Sequence, residues 1–211
     1  MSKIKAIALG NYSDAKYHPF TEVDRQIEAS LQDVADVHST DDYNVLNHEA
    51  LQEYQLFISY TEFSQVALPS EQIAALLSYV ANGGGLLVIH NGISLQRSQE
   101  LGAMIGARFT GHPEFTTLPI TVCEPDHPVV RGIEPFEIDE EPYRFDMYPH
   151  YKTTILLEYE HEGQQWPAAW AHEYGLGRIV YLMPGHQLSS FSSQPFRQLI
   201  RQGGLWAAKV W

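Results

Sequence analysis

The stretch Gly83-Gly84-Gly85-Leu86-Leu87-Val88-Ile89-His90-Asn91-Gly92 carries the clearest architectural signal in the chain. Four consecutive apolar residues between glycines describe a short strand covered on both faces, the pattern of a parallel sheet. The strand stops abruptly in a sharp turn at His90. Before it, Pro69-Ser70-Glu71 opens a helix whose apolar face includes Ile73, Leu76, Leu77 and Val80, and Asn82-Gly83-Gly84 ends it. Leu56-Phe57-Ile58-Ser59-Tyr60 is a further buried strand. At the front of the chain, Ile4 to Leu9 reads as a strand ending at Gly10. Val23, Ile27, Leu31 and Val34 place a helix over Thr21–Val34, Asp36-Val37-His38 a short strand, and Asn47-His48-Glu49 a helical stretch toward Tyr54. Strands alternating with helices predict a doubly wound, mostly parallel sheet with right-handed crossovers.

Beyond His112 the alternation gives way to strand-like pieces at Thr117–Val122, Thr154–Tyr159, Trp166–His172 and Arg178–Leu182. Tyr174-Gly175-Leu176-Gly177 is a hairpin turn, and a last amphipathic helix spans about Pro195–Ala208, with Phe196, Leu199, Ile200 and Trp206 for packing. With no repeat or linker, residues 1–211 read as one α/β domain with an added C-terminal β-hairpin region.

Hydrophobic residues make up 44% and charged residues 18% of the chain, an ordinary globular balance with no apolar run long enough for a membrane helix. The start, MSKIKAIALG, runs straight into a strand pattern without the apolar core of a secretory signal, so a cytoplasmic protein is expected. Cys123 is the only cysteine, which excludes an intrachain disulfide and fits a reducing compartment; its strand-like surroundings make it a packing residue. A formal net charge of -13 with scattered basic residues argues against nucleic acid. Trp166, Trp170, Trp206 and Trp211 read as core or subunit-interface residues, and the expected assembly is a homo-oligomer.

In a parallel α/β sheet, ligands bind beyond the carboxyl ends of the strands. That rule selects the loops beginning at Gly10, Tyr60, Ile89 and Met183, which carry Tyr12 with His18, Glu62, His90 with Asn91, and His186. The turn at His90 resembles a nucleophile elbow. Class I glutamine amidotransferases hold a cysteine in the corresponding slot; here it is histidine, followed by Asn91 and Gly92. Covalent glutamine hydrolysis needs a thiolate at that point, so a glutaminase is not expected. An imidazole there can act as general base, proton shuttle or metal ligand. Glu62 can orient an imidazole or bind a sugar hydroxyl, and His112 sits in a Gly-His-Pro turn that fixes its direction.

Several stretches together resemble the trehalose-utilisation (ThuA-like) family. They are the glycine-rich run ending in His90, Phe109-Thr110-Gly111-His112-Pro113, His127-Pro128-Val129-Val130-Arg131-Gly132-Ile133, Phe136 through Phe145, and Tyr174 through Tyr181 followed by Gly185-His186. The resemblance implies a class I glutamine amidotransferase-like (flavodoxin-like) fold and an association with disaccharide catabolism, in which a partner sugar dehydrogenase makes keto derivatives. It also makes Asp139, Glu140 and Tyr143 pocket residues, although an acidic and aromatic run is more often a solvated edge. The expected function is a carbohydrate-metabolism enzyme acting on a disaccharide or its keto derivative by histidine-assisted proton transfer next to a carbonyl. His90, His186 and Glu62 are the catalytic candidates; Tyr12, His18, Asn91, His112, Asp139, Glu140 and Tyr143 are the substrate-binding candidates. A non-catalytic carbohydrate-binding or regulatory module and a metal-dependent hydrolase are the alternatives. A divalent metal such as zinc suits the His, Glu and Asp donors, but no ligand spacing in the sequence fixes a site.

Overall fold

The computed structural model of the protein describes residues 3–63 and 67–210. Its first half follows the alternation in the sequence: β1 (Ile4–Gly10), α1 (Val23–Leu31), β2 (Ala35–Thr40), α2 (His48–Leu51), β3 (Leu56–Tyr60), α3 (Ser70–Ala81) and β4 (Gly85–Ile89). β3 and β4 are buried at every position, as their unbroken apolar character requires. α1 is shorter than its apolar spacing suggests. Glu22 lies in the left-handed region with φ 68°, so regular winding starts at Val23, and at the far end the Val34 amide closes a turn on the Leu31 carbonyl at 2.8 Å.

After β4 a 3-10 segment, His90–Arg97, leads into α4 (Gln99–Ile105) and β5 (Ala107–Gly111). β6 (Thr116–Val122), β7 (Phe136–Glu140), β8 (Arg144–Met147), β9 (Thr154–His161), β10 (Gln164–Tyr174), β11 (Gly177–Leu182) and α5 (Gln194–Ala207) complete the chain's regular elements. The sequence reading misses α4, β5, β7 and β8. α4 does carry end signals: Ser98 Oγ accepts the Leu101 amide at 3.3 Å, and Gly106 supplies the left-handed C-terminal residue at φ 94°. The acidic run beginning at Phe136 is a strand with Ile138 and Glu140 buried and Glu137 and Asp139 exposed, so only alternate acids lie at a solvated edge.

The main sheet has the order β2-β1-β3-β4-β11-β10-β9-β6-β7. From β2 to β11 the neighbours are parallel, and from β11 to β7 antiparallel. The parallel part reproduces the flavodoxin-like 2-1-3-4-5 order, with β11 as its fifth strand. The hairpin at Tyr174–Gly177 forms as expected, but it is built into the sheet and joins the parallel and antiparallel halves. β5 and β8 form a separate antiparallel pair.

The β1-to-β2 and β3-to-β4 crossovers run in opposite directions across the sheet, so right-handed connections put their helices on opposite faces. α1 packs beside α5, which covers β4 and β11, while α3 packs against α2 and α4. Trp170 is fully buried and donates Nε1–H to the Ile105 carbonyl at 2.9 Å. Trp166 and Trp206 are half-buried, and Trp211 lies outside the described residues. Cys123 is a correction: it follows the last residue of β6 and is exposed, because the alternation that would bury it ends at Val122. Among the described residues no helix is long and apolar enough to cross a membrane.

Candidate functional site

The carboxyl ends of β1, β3, β4 and β11 gather His18, Glu62, His90 and His186 in one place, joined by the chain just after β7. His90 occupies the turn itself. Its φ of 44° is unusual for a residue with a side chain, and the elbow holds because the next turn fits tightly under β3. A Cβ on Gly92 would stand 2.1 Å from the Ser59 carbonyl oxygen, so glycine is required two residues after the histidine. Asn91 is buried beneath the site, where its Nδ2 donates to the Tyr60 and Thr61 carbonyls at 3.0 Å each and pins the end of β3.

Second partners fix each imidazole. His90 Nδ1 lies 2.6 Å from the Met183 carbonyl, which can only accept, so that nitrogen carries the proton and Nε2 a lone pair. Burial pushes this imidazole down to about 3, against the pull of Glu141, and the ring stays neutral. His18 donates to Glu62 Oε2 twice, from its amide (2.8 Å) and from Nδ1 (3.2 Å), which turns Nε2 toward His186 Nδ1 at 3.0 Å. Burial alone would raise the Glu62 carboxyl, but the His18 hydrogen bonds outweigh it and hold the group at about 2. The His186 loop is held by Glu140, fully buried, which accepts the Gly185 amide at 2.7 Å and the His186 amide at 3.2 Å. Desolvation raises the Glu140 carboxyl to about 7.

Glu141 stands at the centre. Its Oε2 lies 3.1 Å from His186 Nδ1, 3.5 Å from His90 Nε2 and 4.0 Å from His18 Nε2, and its Oε1 lies 3.6 Å from His112 Nε2. Burial opposes ionisation there, yet the His186 imidazole beside it holds the carboxyl well below the usual range. One donor atom from each of His18, His90, Glu141 and His186 lies within 4.8 Å of the others, a set that could hold a metal ion. Each histidine has the outer support typical of a ligand: a carboxylate for His18, a carbonyl for His90 and a braced backbone for His186.

A cavity of about 350 Å3 opens onto this cluster, lined by Tyr17, His18, Phe63, Phe109, His112, Glu141 and Tyr143. Tyr143 lies against His90 with ring centroids 4.2 Å apart, and Phe109 lies 4.2 Å from Tyr143. A larger groove, about 930 Å3, lies between α1 and α5, where Arg201 is paired with Asp33 at 2.7 Å. It gathers no histidine or acid-base cluster, so the smaller cavity is the chemical one.

Of the residues expected from sequence, His18, Glu62, His90, His112, Glu140, Tyr143 and His186 meet here, Glu140 as a brace beneath the His186 loop. Tyr12 turns away, its hydroxyl bonded to Asp24 of α1 at 2.7 Å. Asp139 points outward from β7 and accepts the Thr117 hydroxyl at 2.6 Å. Asn91 underlies the site and does not line the cavity. Glu141 was missed, as were Phe109, Phe63 and Tyr17. Period-2 alternation would send Glu141 to the face opposite Glu140, but β7 ends at Glu140 and the Tyr143 amide turns back on the Glu141 carbonyl at 2.8 Å, so both acids reach the cluster. The one local signal was Pro142, which marks that turn.

Fold and site together define an α/β protein of the class I amidotransferase-like type, with an imidazole at the turn after β4 and three histidines and a carboxylate gathered at the strand ends. The family profile described as ThuA, trehalose utilisation, matches residues 12–207, and the chain belongs to that family. No curated protein matches the chain. A ThuA-like protein of Parabacteroides merdae is similar in structure with a TM-score of 0.81 and 18% identity, over 99% of this chain and 91% of that one. A ThuA-like protein of Bacteroides uniformis gives 0.78 and 18%, over 97% and 91%. A cytoplasmic protein of Salmonella typhimurium gives 0.74 and 12%, over 97% and 99%. At these identities the likeness is one of fold.

Proposed function

We propose that this protein is a carbohydrate-metabolism enzyme that admits a disaccharide, in its keto form, to the 350 Å3 cavity and moves a proton at the carbon next to the carbonyl. The observation that carries the reading is His90 Nε2: fully buried, without a hydrogen-bond partner among the described residues, and facing the Glu141 carboxylate across 3.5 Å. Two lone-pair groups so placed repel unless a cation lies between them. His18, His90, His186 and Glu141 would hold a divalent ion such as zinc, which when bound supplies a Lewis acid for a carbonyl oxygen.

The proton then falls to His112. Its Nδ1 lies 2.8 Å from the Pro113 carbonyl, which leaves Nε2 with the lone pair in the neutral ring, on the cavity wall. A carbonyl acidifies the neighbouring C–H, and Nε2 accepts that proton and returns it in isomerisation or passes it on in elimination. Glu141 Oε1, 3.6 Å away, steadies the imidazolium so formed. His90 thereby becomes a ligand in this reading and not the base. The chemistry requires an oxidation upstream, which suits a partner sugar dehydrogenase in the same cytoplasmic compartment.

The test is product analysis after incubation of the purified protein, before and after chelation, with trehalose, other disaccharides and their keto forms. Turnover of keto forms that chelation abolishes and zinc restores is the expected result. Binding without turnover would favour a carbohydrate-binding module, and metal-dependent cleavage of unoxidised sugars a hydrolase.

A further inference from the structure

Two large aromatic rings stand exposed next to the cluster. Tyr17 is 55% exposed and its ring centroid lies 6.2 Å from that of His18; Phe115 is 40% exposed and lies 5.7 Å from His186. Single exposed aromatics are ordinary, but these two each touch a different histidine of the same constellation, and Tyr17 lines the cavity mouth. Lys16 Nζ lies over the Tyr17 ring, 4.7 Å from its centroid, so the face offered for stacking is the one opposite that ammonium. Among the described residues the cavity lining carries no lysine or arginine to pair with an anionic ligand, and a flat apolar ring is the partner that suits the C–H face of a pyranose.

We propose that Tyr17 and Phe115 form a stacking platform for the second ring of an uncharged glycoside whose first ring occupies the cavity. The idea rests on the carbohydrate reading above and adds where discrimination arises. The inner ring meets hydrogen-bonding and ligating groups of fixed direction, so it is read closely. The outer ring meets aromatic faces, which are indifferent to hydroxyl pattern, so the site accepts varied outer groups, an aryl aglycone included. It discriminates against a lone monosaccharide, which forgoes the platform, and against a phosphorylated sugar, which brings charge toward Glu62, Glu140 and Glu141.

Direct titration of the zinc-supplemented protein with trehalose, an aryl glucoside, glucose and trehalose 6-phosphate tests this without requiring turnover. Trehalose and the aryl glucoside should bind more tightly than the other two. Phe115→Ala should weaken them about 2- to 10-fold while leaving glucose unchanged, and Tyr17→Ala should weaken them by more than it weakens glucose. Tyr17→Phe, which keeps the ring, should bind as wild type does. Both positions are exposed, so the variants are expected to melt like wild type. Equal loss for glucose and trehalose, or no loss for either, overturns the platform. Binding with this pattern but no turnover of any keto sugar would leave the platform standing and remove the proton-transfer reading.

Discussion

At the turn after β4 stands an imidazole, and its surroundings decide its chemistry. His90 has one nitrogen spent on the Met183 carbonyl and the other aimed, unpartnered, at Glu141. His112, half open to solvent and outside the four-donor set, keeps a free nitrogen on the cavity wall. The two histidines should therefore fail differently. His112→Ala is expected to lower turnover by roughly 10²–10⁴ with metal content intact. Glu62→Gln, which weakens the support of His18, is expected to cost about 10- to 100-fold in zinc affinity, read by competition with a chromogenic chelator. Cys123→Ala should change neither, since the exposed thiol lies outside the cavity lining. His18, Glu62, His90 and His186 were legible in the sequence because each follows a strand whose apolar run marks its own end. Glu141 was not legible, because two adjacent acids cannot be sorted by alternation once the strand has stopped between them.

Among elements, the segment from β4 into the 3-10 turn is the most constrained. Gly92 admits no side chain: its added Cβ would meet the Ser59 carbonyl oxygen at 2.1 Å, a backbone atom that cannot swing aside. Gly92→Ala should lower stability by about 1–3 kcal/mol through overpacking and shift His90 out of register with His18 and His186. Thermal melting together with zinc titration checks both effects, and a variant that melts and binds like wild type would show that the elbow relaxes. Strands with unbroken apolar runs were readable element by element. β5 and β8 were not, because they pair with each other outside the main sheet and show little of the apolar character that burial on two faces imposes. β7 was hidden by its acids, since Glu140 is buried as a brace and so breaks the usual rule that a buried strand face is apolar.

For the whole molecule, the sheet's topology was legible as far as its parallel half, and the position of β11 was not, since pairing with β4 across ninety residues leaves no local trace. That long-range construction buries titratable groups far from one another, and together they set the response to acid. His90, His127 and His172 are all pushed down by burial, His90 to about 3, so each takes up a proton less readily in the folded protein than in the unfolded chain. The unfolded chain takes up a proton at each as pH falls below about 6.5. A histidine with a depressed pKa contributes stability that is present above that value and lost as pH falls toward the folded one. Glu140 acts in the opposite sense: raised to about 7, it binds its proton in the folded state first and contributes stability as pH falls from 7 toward 4.5. As pH falls through this range the unfolded chain therefore binds more protons at the three histidines than the folded state does, which favours unfolding, while Glu140 offsets part of that difference. The melting temperature of the chelated protein should fall steadily across this range. His172 lies far from the cluster, its Nε2 donating to the Met104 carbonyl at 2.9 Å, a bond that an amide can replace. His172→Gln should remove that site's share of the proton difference and make the slope of stability against pH shallower. Denaturant titrations at pH 7, 6 and 5 measure that slope directly; an unchanged slope in the variant would mean that His172 keeps its charge in the fold and that the acid response comes from elsewhere.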